Sequence, residues 1–129
     1  MSTIKTIPRS ELDSFVEIMA DAYPGFRIDK PEERRRAVDR MKRRFEDERL
    51  RPVGLYEGRK MLGALALWDF TMNLFGHSVL AGGGGMLGVR LIDKKKHVAK
   101  RLVRYYFNHY RRRQSPIAVL WPFRPDFYR

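Results

Sequence analysis

LGVRLIDKKKHVAKRLVRYY, residues Leu87–Tyr106, changes its hydrophobic period halfway along. The stretch from about Met86 to Ile92 reads as a strand. Asp93-Lys94-Lys95-Lys96 is a turn, and a helix from about Lys96 to Arg113 follows, with apolar positions at Val98, Leu102, Tyr105, Tyr106 and His109 or Tyr110. The free N–H groups at a helix start carry partial positive charge, so Asp or Glu is preferred there. This helix instead opens on Lys94, Lys95 and Lys96, followed by Lys100 and Arg101. A bound anion would reverse that conflict, because backbone amides and lysines would then face phosphate oxygens together. In α/β folds, ligands lie beyond the carboxyl ends of strands, which is where this turn falls. The plainer alternative is a basic corner with its lysines splayed into water.

Working outward, the chain reads β-α-α-β-β-β-α-β. Thr3–Ile7 is a short strand, and a helix starts at Ser10, where Ser10 and Asp13 have the spacing of a capping box. Leu12, Phe15, Val16, Met19 and Tyr23 form its apolar stripe, and Pro24-Gly25 ends it. A second helix begins after Asp29 with Pro31 in its first turn, buries Ala37, Val38, Met41 and Phe45, and fades near Arg49. Its other face is full of arginine. Strands are expected at Pro52–Tyr56, Lys60–Asp69, Thr71–Phe75, His77–Gly83 and Met86–Ile92, with Gly82–Gly85 a flexible lead-in to the last of these. Ser115-Pro116 closes the long helix and Ile117–Trp121 is a final short strand. The late β-α-β unit should be a right-handed crossover between parallel strands.

The chain has 129 residues, a length that predicts one domain with one core. It has no cysteine, which excludes disulfides, thiolate metal sites and a cysteine nucleophile, and fits a reducing cytoplasm. The stretch Met61–Trp68 is too short to span a bilayer, so no membrane association is expected. His77, His97 and His109 are scattered among few carboxylates and make no metal-ligand pattern. Lys and Arg total 27 against 15 Asp and Glu, a formal net charge of +12 that attracts anions, whether nucleic acid, anionic membranes or phosphorylated small molecules, without choosing among them.

The Leu87–Tyr106 segment resembles motif A of the GNAT superfamily of N-acetyltransferases. That motif runs strand, Arg/Gln-x-x-Gly-x-Gly/Ala, helix. Lys94–Ala99 keeps its spacing, with Lys94 in place of Arg or Gln, His97 in place of glycine, and Ala99 conforming. AYPGF (Ala22–Phe26), WDFTMNLFG (Trp68–Gly76) and WPFRPDFYR (Trp121–Arg129) resemble the enhanced-intracellular-survival (Eis-like) branch. The resemblance implies an α/β GNAT fold, a mixed central sheet flanked by helices, as one partial domain over residues 1–129 that stops before the last strands. It implies acetyl-CoA as donor and a primary amine, on a protein lysine, an aminoglycoside or a polyamine, as acceptor.

The resemblance further implies individual roles. Backbone groups of Leu87 and Val89 would hold the pantetheine arm, and the turn from Lys94 through Lys95, Lys96, His97, Val98 and Ala99 to Lys100 the pyrophosphate. Tyr128 matches the tyrosine that protonates the departing thiolate, and a phenol near pKa ~10 suits that task. Eis-like proteins use a carboxylate at the far C-terminus of a longer chain as base. This sequence stops at Arg129, which leaves Asp69 as the acidic candidate for meeting a cationic acceptor and Met86 as a lining residue. A shortened chain would complete itself by homo-oligomerising or be inactive, and the longer proteins it resembles carry further C-terminal domains. The rival readings are a small basic nucleic-acid-binding module and a non-catalytic interaction domain.

Overall fold

Hydrophobic alternation on five strands builds one sheet in the order β1-β2-β3-β4-β5, and helices cover both of its faces. The structure is a computed structural model and describes residues 2–90 and 97–120. The strands are β1 (Ser2–Thr6), β2 (Leu50–Glu57), β3 (Lys60–Leu74), β4 (His77–Val89) and β5 (Ile117–Leu120). The helices are α1 (Leu12–Ala22), α2 (Pro31–Arg44) and α3 (Val98–Arg112). The first four strands are antiparallel neighbours, and β5 pairs parallel with β4 after the α3 crossover. This is the α/β architecture expected from the sequence.

Each face has its own core. Leu12, Phe15, Val16, Ile18 and Met19 of α1 and Ala37 and Met41 of α2 meet Tyr56, Met61 and Ala64 of the sheet. On the other side, Val98, Leu102, Tyr106 and Tyr110 of α3 meet Val53, Leu55, Leu65, Leu67 and Leu87. The α3 set repeats every four residues, so one narrow stripe is buried over the whole helix. Fully burying side chains such as Phe15 or Leu102 contributes roughly 1.5–3 kcal/mol each.

Several boundaries differ from the sequence reading. Ser10 and Asp13 form no cap: Arg9–Glu11 is a 3-10 turn, and α1 starts at Leu12 with no side-chain cap bond. α2 stops at Arg44 rather than near Arg49, since Asp47 turns the chain by accepting the Arg49 backbone N–H at 3.0 Å. Lys60–Asp69 and Thr71–Phe75 are one strand, joined to β4 by a two-residue turn in which Phe75 and Gly76 both have positive φ, 50° and 86°. That geometry suits the twist of a tight hairpin. α3 ends in a Schellman arrangement: Gln114 N–H donates to Arg111 O and Ser115 N–H to Tyr110 O, both at 3.0 Å, with Gln114 at φ 57°.

The largest correction concerns the glycine run. Gly82–Gly85 is not a lead-in but the middle of β4, paired to β3 from Asp69↔Gly82 to Ala66↔Gly85. Glycine is required there by close approach. A Cβ on Gly82 would overlap the Tyr110 ring of α3, and one on Gly83 would meet Phe70 on the opposite face. Beside this contact, the Tyr106 hydroxyl lies 2.8 Å from Gly82 O and 2.9 Å from Val119 O, so its one proton is shared between β4 and β5. Ser115 Oγ accepts the Gly82 N–H at 3.1 Å and lies 2.8 Å from Leu80 O. Burial pushes the Tyr106 phenol up to about 12, so it stays a donor at any physiological pH.

Asp69 closes the same end of α3. Its Oδ1 accepts from Tyr110 Oη and from Arg113 Nη1, both at 2.8 Å. Burial disfavours the carboxylate, but the hydrogen bonds from Arg113 and Tyr110 and the charges of Arg113 and Arg51 outweigh it and hold Asp69 below its ordinary value. A carboxyl that is more acidic folded than unfolded stabilises the fold above its unfolded pKa, and the contribution is lost as pH falls through the folded one.

Two outcomes follow from this packing. Gly82→Ala forces Tyr110 off its seat and should cost about 1–3 kcal/mol in urea unfolding, as overpacking does; unchanged stability would mean that α3 does not rest on Gly82. Asp69→Asn should lower the melting temperature at neutral pH and narrow the gap to the parent protein as pH drops through the acid range. A deficit that is the same at every pH would show that the ion pair contributes nothing.

Candidate functional site

The site starts from an irregularity in β4. Ala66 pairs with Gly85 and Ala64 with Gly88, so Met86 and Leu87 together face the single residue Leu65. Such a bulge re-aims side chains. Met86 takes φ 52°, a left-handed conformation that costs a side-chain-bearing residue roughly 1–2 kcal/mol. Because the extra residue shifts the alternation, Leu87 enters the α3 core while Met86 packs against the α1–α2 core. The described β4–β5 pairing ends at Gly84↔Leu120, just before the bulge. Tyr23, at the end of α1, donates its hydroxyl to Leu87 O at 3.0 Å and props the bulge from the α1 side.

The second part is the start of α3. Val98 and Leu102 pack over Gly63, where a Cβ would displace both, and Gly63 is the register partner of Val89. The helix therefore begins over the carboxyl-end half of β4. His97 precedes it at φ 56°, ψ 31°, and its carbonyl accepts the Arg101 N–H at 3.1 Å. The amides of Val98, Ala99 and Lys100 belong to the first turn, where no carbonyl within the helix itself can accept them. That turn holds no acidic residue. Lys100 is exposed, and Arg101 bonds Ser2 Oγ of β1. A helix start with free first-turn amides, an exposed cation and no acidic residue in that turn is chemically fit for a phosphate. That left-handed backbone is one glycine adopts without strain, so His97 carries a conformational cost there.

Among the residues singled out from sequence, Met86, Leu87, Val89, His97, Val98, Ala99 and Lys100 are gathered at this one end of the sheet. Lys94, Lys95, Lys96 and Tyr128 lie outside the described residues. Asp69 is elsewhere. It is bonded to Tyr110, which is ~20 Å along α3 from His97 at 1.5 Å per residue, and its carboxylate is engaged by Arg113 and Tyr110. Sequence reading assigned Tyr23 only to the apolar stripe of α1. Its place inside AYPGF was the available signal, but the hydroxyl's partner is 64 residues away in the chain. Among the described residues no group of three His, Asp or Glu side chains could hold a metal ion.

Comparison with known proteins agrees with this geometry. The family model described as an acetyltransferase (GNAT) domain matches residues 3–129. By sequence, no curated protein matches the chain. Among solved structures, a transcriptional regulator from Bacillus halodurans C-125 superposes with TM-score 0.85 at 16% identity, over 99% of this chain and 89% of that one. A GCN5-related N-acetyltransferase from Kribbella flavida gives 0.75 at 21% identity, over 99% of this chain but 31% of that one, so this chain spans about a third of its length. A predicted acetyltransferase with acetyl-CoA from Clostridium acetobutylicum gives 0.71 at 10% identity, over 95% and 81% of the two chains. At these identities the superpositions speak for the fold, and the family match extends over nearly the whole sequence. The chain belongs to the GNAT acetyltransferase domain family.

Proposed function

We propose that the protein is an N-acetyltransferase that takes the acetyl group of acetyl-CoA and passes it to a primary amine. The observation that carries this reading is the meeting, at one end of the sheet, of a bulged β4 and a helix start built for an anion. Among the described residues, two of the four non-glycine residues with positive φ, Met86 and His97, are at this place. Backbone strain concentrated at one spot is a mark of function rather than of folding convenience. The acetyl-CoA in the Clostridium structure's name supports the choice of donor.

In this reading, the amides of the first turn of α3, with Lys94, Lys95, Lys96 and Lys100 beside them, hold the pyrophosphate. Backbone groups of Leu87 and Val89 hold the pantetheine arm. The Leu87 carbonyl already accepts from Tyr23, so Tyr23 fixes the bulge against which the arm lies. Met86, on the α1–α2 side, lines the acceptor end. The amine nitrogen attacks the thioester carbonyl, the carbon–sulfur bond breaks, and Tyr128 gives its phenolic proton to the departing thiolate. The acceptor must first lose a proton, since an alkyl amine near pKa ~10.4 is almost wholly charged at neutral pH. The stretches AYPGF, WDFTMNLFG and WPFRPDFYR support placement in the Eis-like branch, a resemblance under which a protein lysine, an aminoglycoside or a polyamine is the acceptor.

Two measurements test the reading. Acetyl-CoA should raise the melting temperature, and His97→Gly should both stabilise the free protein, by relieving the left-handed histidine, and tighten coenzyme binding. No thermal shift at millimolar acetyl-CoA in either form would remove the donor site. Tyr128→Phe should lower kcat by ten-fold or more while leaving the dissociation constant for acetyl-CoA within two-fold; an equal loss in both would assign Tyr128 to packing.

A further inference from the structure

α2 carries an outward face that neither its own fold nor the acetyl-transfer site uses. Arg35, Arg36, Arg40, Arg43 and Arg44 are all exposed. Arg34 is different, because it pairs with Glu17 of α1. Arg40 lies 5.4 Å from the Phe26 ring in a cation–π contact and remains exposed. Among the described residues no carboxylate pairs with Arg35, Arg36, Arg43 or Arg44. Asp39 is on the same face without closing an ion pair to any of them.

This arrangement works against the helix. Arg36–Arg40 and Arg40–Arg44 are like charges four residues apart, and Arg40–Arg43 three apart, each opposing the helix by roughly 0.2–0.5 kcal/mol. The dipole at the helix C-terminus offsets part of this for Arg43 and Arg44, but not for Arg36 or Arg40. From position 36 to position 44 the row runs ~12 Å, at 1.5 Å per residue. A linear row of cations matches a line of anions better than a single carboxylate. The cations are arginines, whose planar forks take phosphate oxygens two at a time. The face presents no large apolar side chain that could enter a lipid surface. It also lacks aromatic rings free for base stacking, since Phe26 lies under Arg40.

We propose that the outward face of α2 docks a nucleic-acid backbone, with Arg36, Arg40, Arg43 and Arg44 each gripping phosphates. Recognition is of charge and spacing, not of base sequence. The inference stands independently of the acetyl-transfer reading, because it uses none of that site's residues.

The test is fluorescence anisotropy of the full chain with a labelled 20-base-pair duplex of arbitrary sequence, at several salt concentrations. Four phosphate contacts predict a slope of log K against log salt of about −3.6. Replacing Arg36, Arg40, Arg43 and Arg44 together by glutamine should weaken binding ten-fold or more at moderate salt. A charge-matched control, glutamine at Arg59, Arg104, Arg111 and Arg112, should change it less than three-fold. Equal loss in both variants would overturn the proposal, because net charge alone would then account for binding. Competition by polyglutamate as effective per charge as by unlabelled duplex would overturn it too, in favour of an acidic protein partner. Helicity measured by circular dichroism checks that both variants fold, and the acetyl-CoA thermal shift, measured in parallel, reports separately on the donor site.

Discussion

The seat of Tyr110 on Gly82 fixes the rest of the molecule. A bare backbone in mid-strand lets an aromatic ring of α3 rest on the sheet itself. Tyr106 then reaches both β4 and β5 with one hydroxyl. Asp69 locks the far side through Tyr110 and Arg113. With its C-terminal end held in this way, α3 is rigid enough to carry its first turn, ~20 Å away, to a set position above Val89. The entropic cost of consecutive glycines in a strand is offset by the packing they allow. The fold thus uses one end of the helix for cohesion and leaves the other for binding.

The charge pattern divides along the same axis. At the C-terminal end of α3 the single carboxylate of Asp69 is ringed by arginines and is held ionised. His109, stacked near Tyr105 and half-buried, is pushed down by burial and by the neighbouring Arg113 and Arg51, so it stays neutral there. At the N-terminal end the first turn of α3 carries no acidic residue. Cohesion therefore comes from a satisfied ion pair at one end, and the other is left electrostatically open, as a site for an anion must be.

Much of the fold was legible in the sequence, because hydrophobic periodicity and Gly/Pro punctuation report directly on burial. The element order, the buried stripe of α3 and the Pro31 start of α2 all follow from it. What was not legible depended on contacts distant in the chain. Gly82–Gly85 looked like freedom because glycine's lack of a side chain is silent about what fills the space; only Tyr110 and Phe70 reveal it. The bulge at Met86 was hidden because Met86 and Leu87 are both apolar, so a change of face leaves no mark on the pattern. Asp69 read as a free acid at a strand end because its partners, Tyr110 and Arg113, come from another element. The charge conflict at the start of α3 is local by contrast, written in adjacent letters, and the lysines that create it lie outside the described residues.

The bulge has one more consequence, for the history and engineering of β4. A single added residue divides the strand into two segments of opposite phase: up to Gly84 the even-numbered positions look toward α3, and from Leu87 the odd-numbered ones do. No even spacing rule can be applied across it. A one-residue deletion at the bulge itself would return β4 to plain alternation, with Leu87 still toward α3 and Gly88 still toward α1, whereas a one-residue slip elsewhere in the paired strand would exchange the linings of both layers on one side of it. What the added residue supplies is therefore not the lining of either layer but a local bend of the backbone at Met86, which the strand could lose without losing its place in the sheet.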